Sequence, residues 1–336
     1  MKILITGGSG FIGINFIKCA LKRGHKICNI DNLSLNKKDY NKINDNYFFN
    51  KADLHNIDQL QQIIRQFNPD KIIHMAAESH VDNSIVKPKT FLNTNIIGTY
   101  NILQASLNFW NGKKNEDNFC FHHISTDEVF GSLEYNDKPF NEASKYKPNS
   151  PYSASKASSD HLVRAWHKTY GLPITITYST NNYGPYQHPE KFIPVTILSS
   201  IFKSKIPIYG NGENIRDWLY VTDHVQALMD LMENNIINKI FTIGSENEKS
   251  NLEVAYQICE IMDNLSNKDF SHKSLICLVD DRMGHDYRYA INPDLIKKEI
   301  NWRPKLTFSD GIIKTINWYI QNKSWWKNLI VDGIKC

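Results

Sequence analysis

The chain has 336 residues, 41% hydrophobic and 22% charged, with 39 basic against 35 acidic side chains and a formal net charge of +4. That is material for one large core and a smaller companion, and the weak, scattered charge argues against nucleic acid as a partner while allowing a small phosphorylated ligand. No signal-like block precedes "KILITGG", no run of about 18 apolar residues occurs, and Cys19, Cys28, Cys120, Cys259, Cys277 and Cys336 form no CxxC pair, so a soluble cytoplasmic protein with reduced thiols, no metal site and no membrane attachment is expected.

Short apolar runs alternate with longer amphipathic ones. Strands are predicted at 2–6, 26–30, 46–52, 71–77, 119–126 and 174–180, and helices at 11–21, 57–67, 90–109, 152–170 and 192–202. Such alternation predicts an α/β protein with a Rossmann-type, doubly wound parallel sheet, because parallel neighbours need helical crossovers that cover both faces. Beyond 180 come loops containing "YGP", "IYGNG" and "RDWLY", then helix-like 222–233, strand-like 240–244, helix-like 251–263, strand-like 275–280 and an amphipathic end at 309–320. The expected organisation is a Rossmann domain at 1–180 with returns to its sheet from about 217–244, and a smaller interleaved α/β substrate domain over 181–322. Residues 134–150 are expected as a surface loop and 323–336 as a C-terminal tail.

"TGGSGFIG" follows the first strand and opens a helix, with Gly7, Gly10 and Gly13 in the spacing of a dinucleotide loop. The glycines permit a tight turn and a close backbone approach to a pyrophosphate, with free N–H groups of the helix end facing the anion. The plain alternative is a structural turn. Asp31, at the end of the second strand, would accept hydrogen bonds from both ribose hydroxyls and repel a 2′-phosphate, which favours NAD over NADP. Asp53 after the third strand could meet the adenine amine or could cap a helix. "MAAES" brings small residues, Ala76 and Ala77, to the exit of the fourth strand.

The fifth predicted strand ends in Ser125 and Thr126, and Asp127 and Glu128 follow directly. Two adjacent carboxylates resist joint ionisation, so one can act as an acid while the other acts as a base. For both to reach one ligand the strand must end near Thr126, since neighbouring strand residues point to opposite faces. The bland reading is a solvated helix start. "YSASK" then sets Tyr152 and Lys156 four apart on one helical face, where a nearby ammonium and a positive nicotinamide would draw the phenol toward a useful pKa. Arg216 and Arg282 could clamp a diphosphate or pair with Asp217 and Asp281.

Together, "TGGSGFIG", "AAESHVD", "STDEVFG", "SPYSASKASSDHLVRAW", "NNYGPYQHPEKFIP", "IYGNGENIRDWLYVTDH" and "RMGHDYRYAI" closely resemble the extended short-chain dehydrogenase/reductases, and within them the nucleoside-diphosphate-glucose 4,6-dehydratases. The likeness runs from Met1 to about Tyr319. It implies an NAD-dependent hydro-lyase that converts dTDP-glucose or UDP-glucose to the 4-keto-6-deoxy sugar and works as a homodimer through 90–109 and 152–170. By this resemblance Tyr152 deprotonates the 4-hydroxyl, Thr126 bonds the 4-hydroxyl or Tyr152, Glu128 takes the carbon-5 proton, and Asp127 protonates the departing 6-hydroxyl. Gly7, Gly10, Phe11, Ile12, Gly13, Asp31, Asp53, Ala76, Ala77, Tyr152 and Lys156 would hold NAD. Ser79, Asn181, Glu190, Lys191, Arg216, Asn251, Arg282 and His285 would surround the sugar nucleotide.

Phe130, Tyr178, Ser179, Thr180 and Asn83 depart from common forms of these motifs. A sugar-nucleotide 4-epimerase is the nearest alternative, since it uses the same tyrosine without the acid pair. A catalytically silent NAD-binding protein is another.

Overall fold

The computed structural model describes residues 1–36, 39, 45–113, 118–266 and 270–330. In chain order it builds β1 (Lys2–Thr6), α1 (Phe11–Lys22), β2 (Lys26–Asp31), β3 (Tyr47–Lys51), α2 (Ile57–Phe67), β4 (Lys71–His74), α3 (Val81–Val86), α4 (Pro88–Phe91), a π-helical segment (Leu92–Gly98), α5 (Thr99–Gly112) and β5 (Cys120–Thr126). A 3-10 turn (Asp127–Phe130), α6 (Pro151–Tyr170), β6 (Ile174–Ser179), β7 (Asn181–Tyr183), α7 (Phe192–Phe202), β8 (Ile206–Tyr209), β9 (Ile215–Tyr220), α8 (Val221–Glu233) and β10 (Lys239–Ile243) follow. The remainder holds β11 (Glu248–Ser250), α9 (Asn251–Leu265), β12 (Ile276–Val279), β13 (Arg288–Tyr289), α10 (Asp294–Ile300), α11 (Phe308–Gln321) and α12 (Lys323–Trp326).

The main sheet has seven strands in the order β10-β6-β5-β4-β1-β2-β3. Every neighbouring pair in it is parallel. β1 and β4 lie side by side although β2 and β3 intervene in sequence, so the order reverses between them. That is the switch point where open α/β sheets take ligands, outside the carboxyl ends of the strands. Side chains alternate through β1: Leu4 joins the core shared with α2 and α5, while Ile3 and Ile5 join the core shared with α1 and α8.

A smaller sheet runs β11-β9-β13, with β7 also on β9, and β12 pairs with β8. The return to the main sheet is therefore made by β10 with α8 packed beneath it, whereas Ile215–Tyr220 stays in the smaller sheet. The stretch predicted as one helix at 90–109 is broken by the π-helical segment, a feature that favours functional positions. Residues 134–150 are mostly loop, tied down by bridges from Leu133 to Arg288 and from Phe140 to Ile291. The expected tail begins as helix α12, with Trp325 and Trp326 buried and Trp326 Nε1 donating to the Tyr319 carbonyl at 2.8 Å. Residues 331–336 lie outside the described residues. The described cysteines are free thiols; Cys336 falls outside them. Among the described residues no helix is long and apolar enough to cross a membrane.

Candidate active site

Three glycines shape the first cleft, which holds about 350 Å³. Gly7 has φ +75°, and a Cβ there would stand 2.7 Å from the Ala76 backbone. A Cβ on Gly13 would lie 2.4 Å from the Gly7 carbonyl oxygen, so β1, α1 and the exit of β4 approach more closely than side chains allow. Gly10 is the N-cap of α1 and offers no side-chain cap, which leaves the first-turn N–H groups for an anion. Gly7, Gly10, Phe11, Ile12 and Gly13 line this cleft, as do Ala76 and Ala77 just after β4.

Asp31 closes β2 and is held by backbone donors, Ser9 N at 3.0 Å and Leu33 N at 2.8 Å. Burial pushes its carboxyl above the usual range while these two bonds oppose the shift. Asp53 is exposed on the cleft edge and accepts from His55 N at 2.9 Å and Asn32 Nδ2 at 3.2 Å. It does not cap α2; Asn56 does, accepting from Gln59 N at 3.1 Å. A glycine cradle, open N–H groups and an acid at the β2 end fit a dinucleotide with a free 2′-hydroxyl.

β5 ends at Thr126, and the 3-10 turn that follows rotates consecutive side chains by about a third of a turn instead of alternating them. Asp127 and Glu128 both reach the cofactor cleft, and Glu128 also lines the second cleft. Thr126 is the N-cap: its Oγ1 accepts from Glu128 N at 3.4 Å and donates to Asp127 Oδ1 at 3.3 Å. Asp127 is 1% exposed, and its Oδ2 has no hydrogen-bond partner among the described residues. Burial, then Glu128 and Asp217, push Asp127 well above the usual carboxyl range. Burial also raises Glu128, but Arg282, Arg216 and Lys191 oppose it. The same local charges thus separate two chemically similar neighbours.

Pro151 and a capping box between Ser150 and Ser153 start α6, so Tyr152 is fixed in its first turn. Lys156 Nζ donates to the Ile124 carbonyl at 2.8 Å, anchoring the helix to β5. Tyr152 and Lys156 face the cofactor cleft with Thr126. The protein's own groups do not by themselves pull the phenol down. Burial, then Glu128 and Asp127, push Tyr152 well above its ordinary value, and a bond from Thr126 only partly opposes them.

The second cleft, about 490 Å³, takes in Ser79, Asn181, Glu190, Lys191 and Arg216, with Asn251, Arg282 and His285 on the side of the smaller sheet. Asn181 Oδ1 and Arg282 Nε are buried without partners among the described residues, as groups reserved for a ligand are. Lys191 Nζ donates to the Ser79 carbonyl at 2.8 Å. His80 and His188 flank Glu190 at 3.8 and 3.6 Å.

Among the described residues neither guanidinium forms an ion pair with its sequence neighbour, although Arg282 N donates to Asp281 Oδ1 at 2.8 Å. Asp217 is occupied by the backbone of Ser245 and Asn247, each at 2.9 Å. Arg216 instead donates to the carbonyls of Ile215, Asp286 and Tyr287 and lies 4.3 Å from the Tyr289 ring centroid. Asp281 accepts from His285 Nδ1 at 2.6 Å, and Arg282 stands 3.6 Å from Asp82. Asp82, which also accepts from Tyr209 at 3.1 Å, escaped the sequence reading. So did Asp160, whose only signal was its place four residues after Lys156. No cluster of His, Cys, Asp or Glu able to hold a metal ion occurs among the described residues.

Residues 4–315 match the family model described as GDP-mannose 4,6 dehydratase. The dTDP-glucose 4,6-dehydratase of Salmonella typhimurium is 46% identical, over 98% of this chain and 95% of its own length. The crystal structure of dTDP-glucose 4,6-dehydratase from Bacillus anthracis in complex with NAD has a TM-score of 0.86 and 40% identity, covering 98% of this chain and 99% of that one. A UDP-glucose 4-epimerase from Thermotoga maritima shares the architecture at a TM-score of 0.83 and 25% identity, covering 96% and 100%. By the family model, the near-complete coverage and the identity to the dehydratases, this chain belongs to the nucleoside-diphosphate-sugar 4,6-dehydratases of the dTDP-glucose type, within the extended short-chain dehydrogenase/reductases.

Proposed function

We propose that this protein is an NAD-dependent dTDP-glucose 4,6-dehydratase. The observation that carries the reading is the acid pair on the 3-10 turn, facing the cofactor cleft where it meets the second one. An epimerase has no step that needs two acids there. NAD, held by the glycine cradle and Asp31, supplies a hydride acceptor for sugar carbon 4, a donor for carbon 6, and a positive ring that favours the Tyr152 phenolate.

Tyr152 takes the proton of the 4-hydroxyl as carbon 4 is oxidised, with Thr126 orienting that hydroxyl. The new ketone acidifies carbon 5. Glu128, whose negative form is favoured by Arg282, Arg216 and Lys191, removes the carbon-5 proton. Asp127, kept protonated by burial and by Glu128, donates to the 6-hydroxyl as it leaves as water. A proton then returns to carbon 5. The balance is loss of one water, with the cofactor back in its starting form. Each positioned proton transfer contributes roughly 10²–10⁴-fold.

Residues 1–180 supply the cofactor half and most of 181–322 the sugar-nucleotide half, with Arg216 and Arg282 on the diphosphate. The 46% identity to a dTDP-glucose enzyme favours thymidine over uridine. The proposed assembly is a homodimer across α5 and α6. Leu92, Ile97 and Tyr100 are exposed on that side, and Tyr100 meets Trp166 edge-on at 5.7 Å. The cytoplasm is the proposed setting, in keeping with the free thiols. Replacing both acids, Asp127→Asn with Glu128→Gln, should stall the enzyme after oxidation, with reduced nicotinamide accumulating in its absorption band. Unimpaired turnover in that variant contradicts the assignment.

A further inference from the structure

Asp160 is buried to 0% exposure and lies one helical turn beyond Lys156 on the same face of α6. It lines neither cleft. Its two oxygens are held by β5: Oδ1 lies 3.1 Å from His123 Nε2, and Oδ2 accepts from Ser125 Oγ at 2.8 Å. Between those two residues, the Ile124 carbonyl accepts from Lys156 Nζ. Three consecutive strand residues therefore grip a lysine and an aspartate together.

A lone ionised carboxylate or ammonium in such a place is very costly, whereas a pair can stay charged. The largest charge acting on Asp160 is that of Lys156. From its own helix it meets Lys156, His161 and Arg164, the last two with exposed side chains, and the Tyr152 phenol one turn further back. From the 134–150 loop it meets Tyr146, and from β6 Tyr178. From β5 it meets His123, which stacks on His74 of β4 at 5.5 Å; burial holds both imidazoles well below their ordinary values, hence neutral.

We propose that Asp160 is a positioning residue for the oxidation step: the buried counter-ion, clamped by His123 and Ser125, that keeps Lys156 a cation beside Tyr152. This deepens the dehydratase reading and rests on it for its catalytic consequence. Burial alone drives Lys156 down and Asp160 up, and each charge opposes the shift of the other. Removing the carboxylate leaves Lys156 to lose its proton at lower pH; although Asp160's own charge disfavours the phenolate, losing the cation four residues from Tyr152 withdraws its support.

The test is a titration of lysine labelled with 13C at Cε in the NAD-loaded enzyme, with the Lys156 resonance assigned by its loss in Lys156→Met. Asp160→Asn should lower the Lys156 midpoint by about one pH unit or more. Its kcat on dTDP-glucose should fall roughly tenfold to a hundredfold, with KM unchanged because Asp160 touches no cleft. Ser125→Ala, which keeps the carboxylate but loosens it, should move the midpoint the same way by less, and it serves if the asparagine variant does not fold. A Lys156 midpoint unmoved in the variants that fold overturns the proposal and leaves Asp160 as a tie between α6 and β5. If the wild type fails to dehydrate the sugar, the functional reading falls, while the titration still decides whether Asp160 is the counter-ion.

Discussion

Two adjacent carboxyls, both raised by burial, become different reagents because Arg282, Arg216 and Lys191 oppose that shift at Glu128, whereas Glu128 and Asp217 add to it at Asp127. Asp127 has one oxygen without a hydrogen-bond partner among the described residues, and Glu128 feels Arg282, Arg216 and Lys191. The same enclosure has a stability consequence. A carboxyl whose folded pKa is raised favours the folded state below its unfolded pKa, and that contribution is lost as pH rises through the folded value. Asp127→Asn should therefore raise the unfolding free energy at pH 7 by at least about 1 kcal/mol in denaturant titrations. The gain should shrink toward about pH 3, where the carboxyl is protonated in both states. A variant no more stable than wild type at pH 7 would mean that Asp127 finds a partner in solution. The residue pattern revealed the acids, Tyr152 and Lys156, since each belongs to a short contiguous motif. It did not reveal that Tyr152 is pushed up, because that depends on acids brought from another element. Asp82 and Asp160 were hidden for the same reason: their partners come from distant parts of the chain.

The elements matter through where they stop. β5 ends at Thr126 and gives way to a 3-10 turn, and α6 starts at a cap that fixes Tyr152 two residues on. Ser150→Ala should cost about 1 kcal/mol of stability and loosen Tyr152, lowering kcat more than cofactor affinity; equal unfolding midpoints for variant and parent would remove the cap from the account. Gly7→Ala forces a Cβ into the Ala76 backbone at positive φ, so NAD affinity should drop sharply in calorimetry. The repeating β-α units of the first half were readable because apolar periodicity switches cleanly between strand and helix. The smaller sheet was not. β7, β11 and β13 are three, three and two residues long, too short to show a period, and their pairing with β9 joins segments far apart in sequence. The π-helical break was equally silent, since it changes hydrogen-bond register without changing composition.

At the scale of the whole molecule, the two clefts meet at Glu128, Asn181 and Lys191, so cofactor and sugar nucleotide converge on the acid pair. Contacts already bridge the two halves: Lys191 to the Ser79 carbonyl, and Asp82 to Arg282 and Tyr209. A diphosphate entering the cleft would compete with Asp82 for Arg282. Arg282→Ala should accordingly raise KM for the sugar nucleotide roughly tenfold or more, the scale of a lost charge-assisted hydrogen bond, while NAD binding stays intact; an unchanged KM would take Arg282 out of the diphosphate site. By this arrangement the enzyme removes water from a hexose and does not merely invert carbon 4. The most direct measurement incubates the purified protein with NAD and dTDP-glucose and follows the sugar nucleotide by mass spectrometry. A dehydratase yields a product lighter by one water, whereas unchanged mass with conversion of glucose to galactose would identify an epimerase and overturn the role of the acid pair.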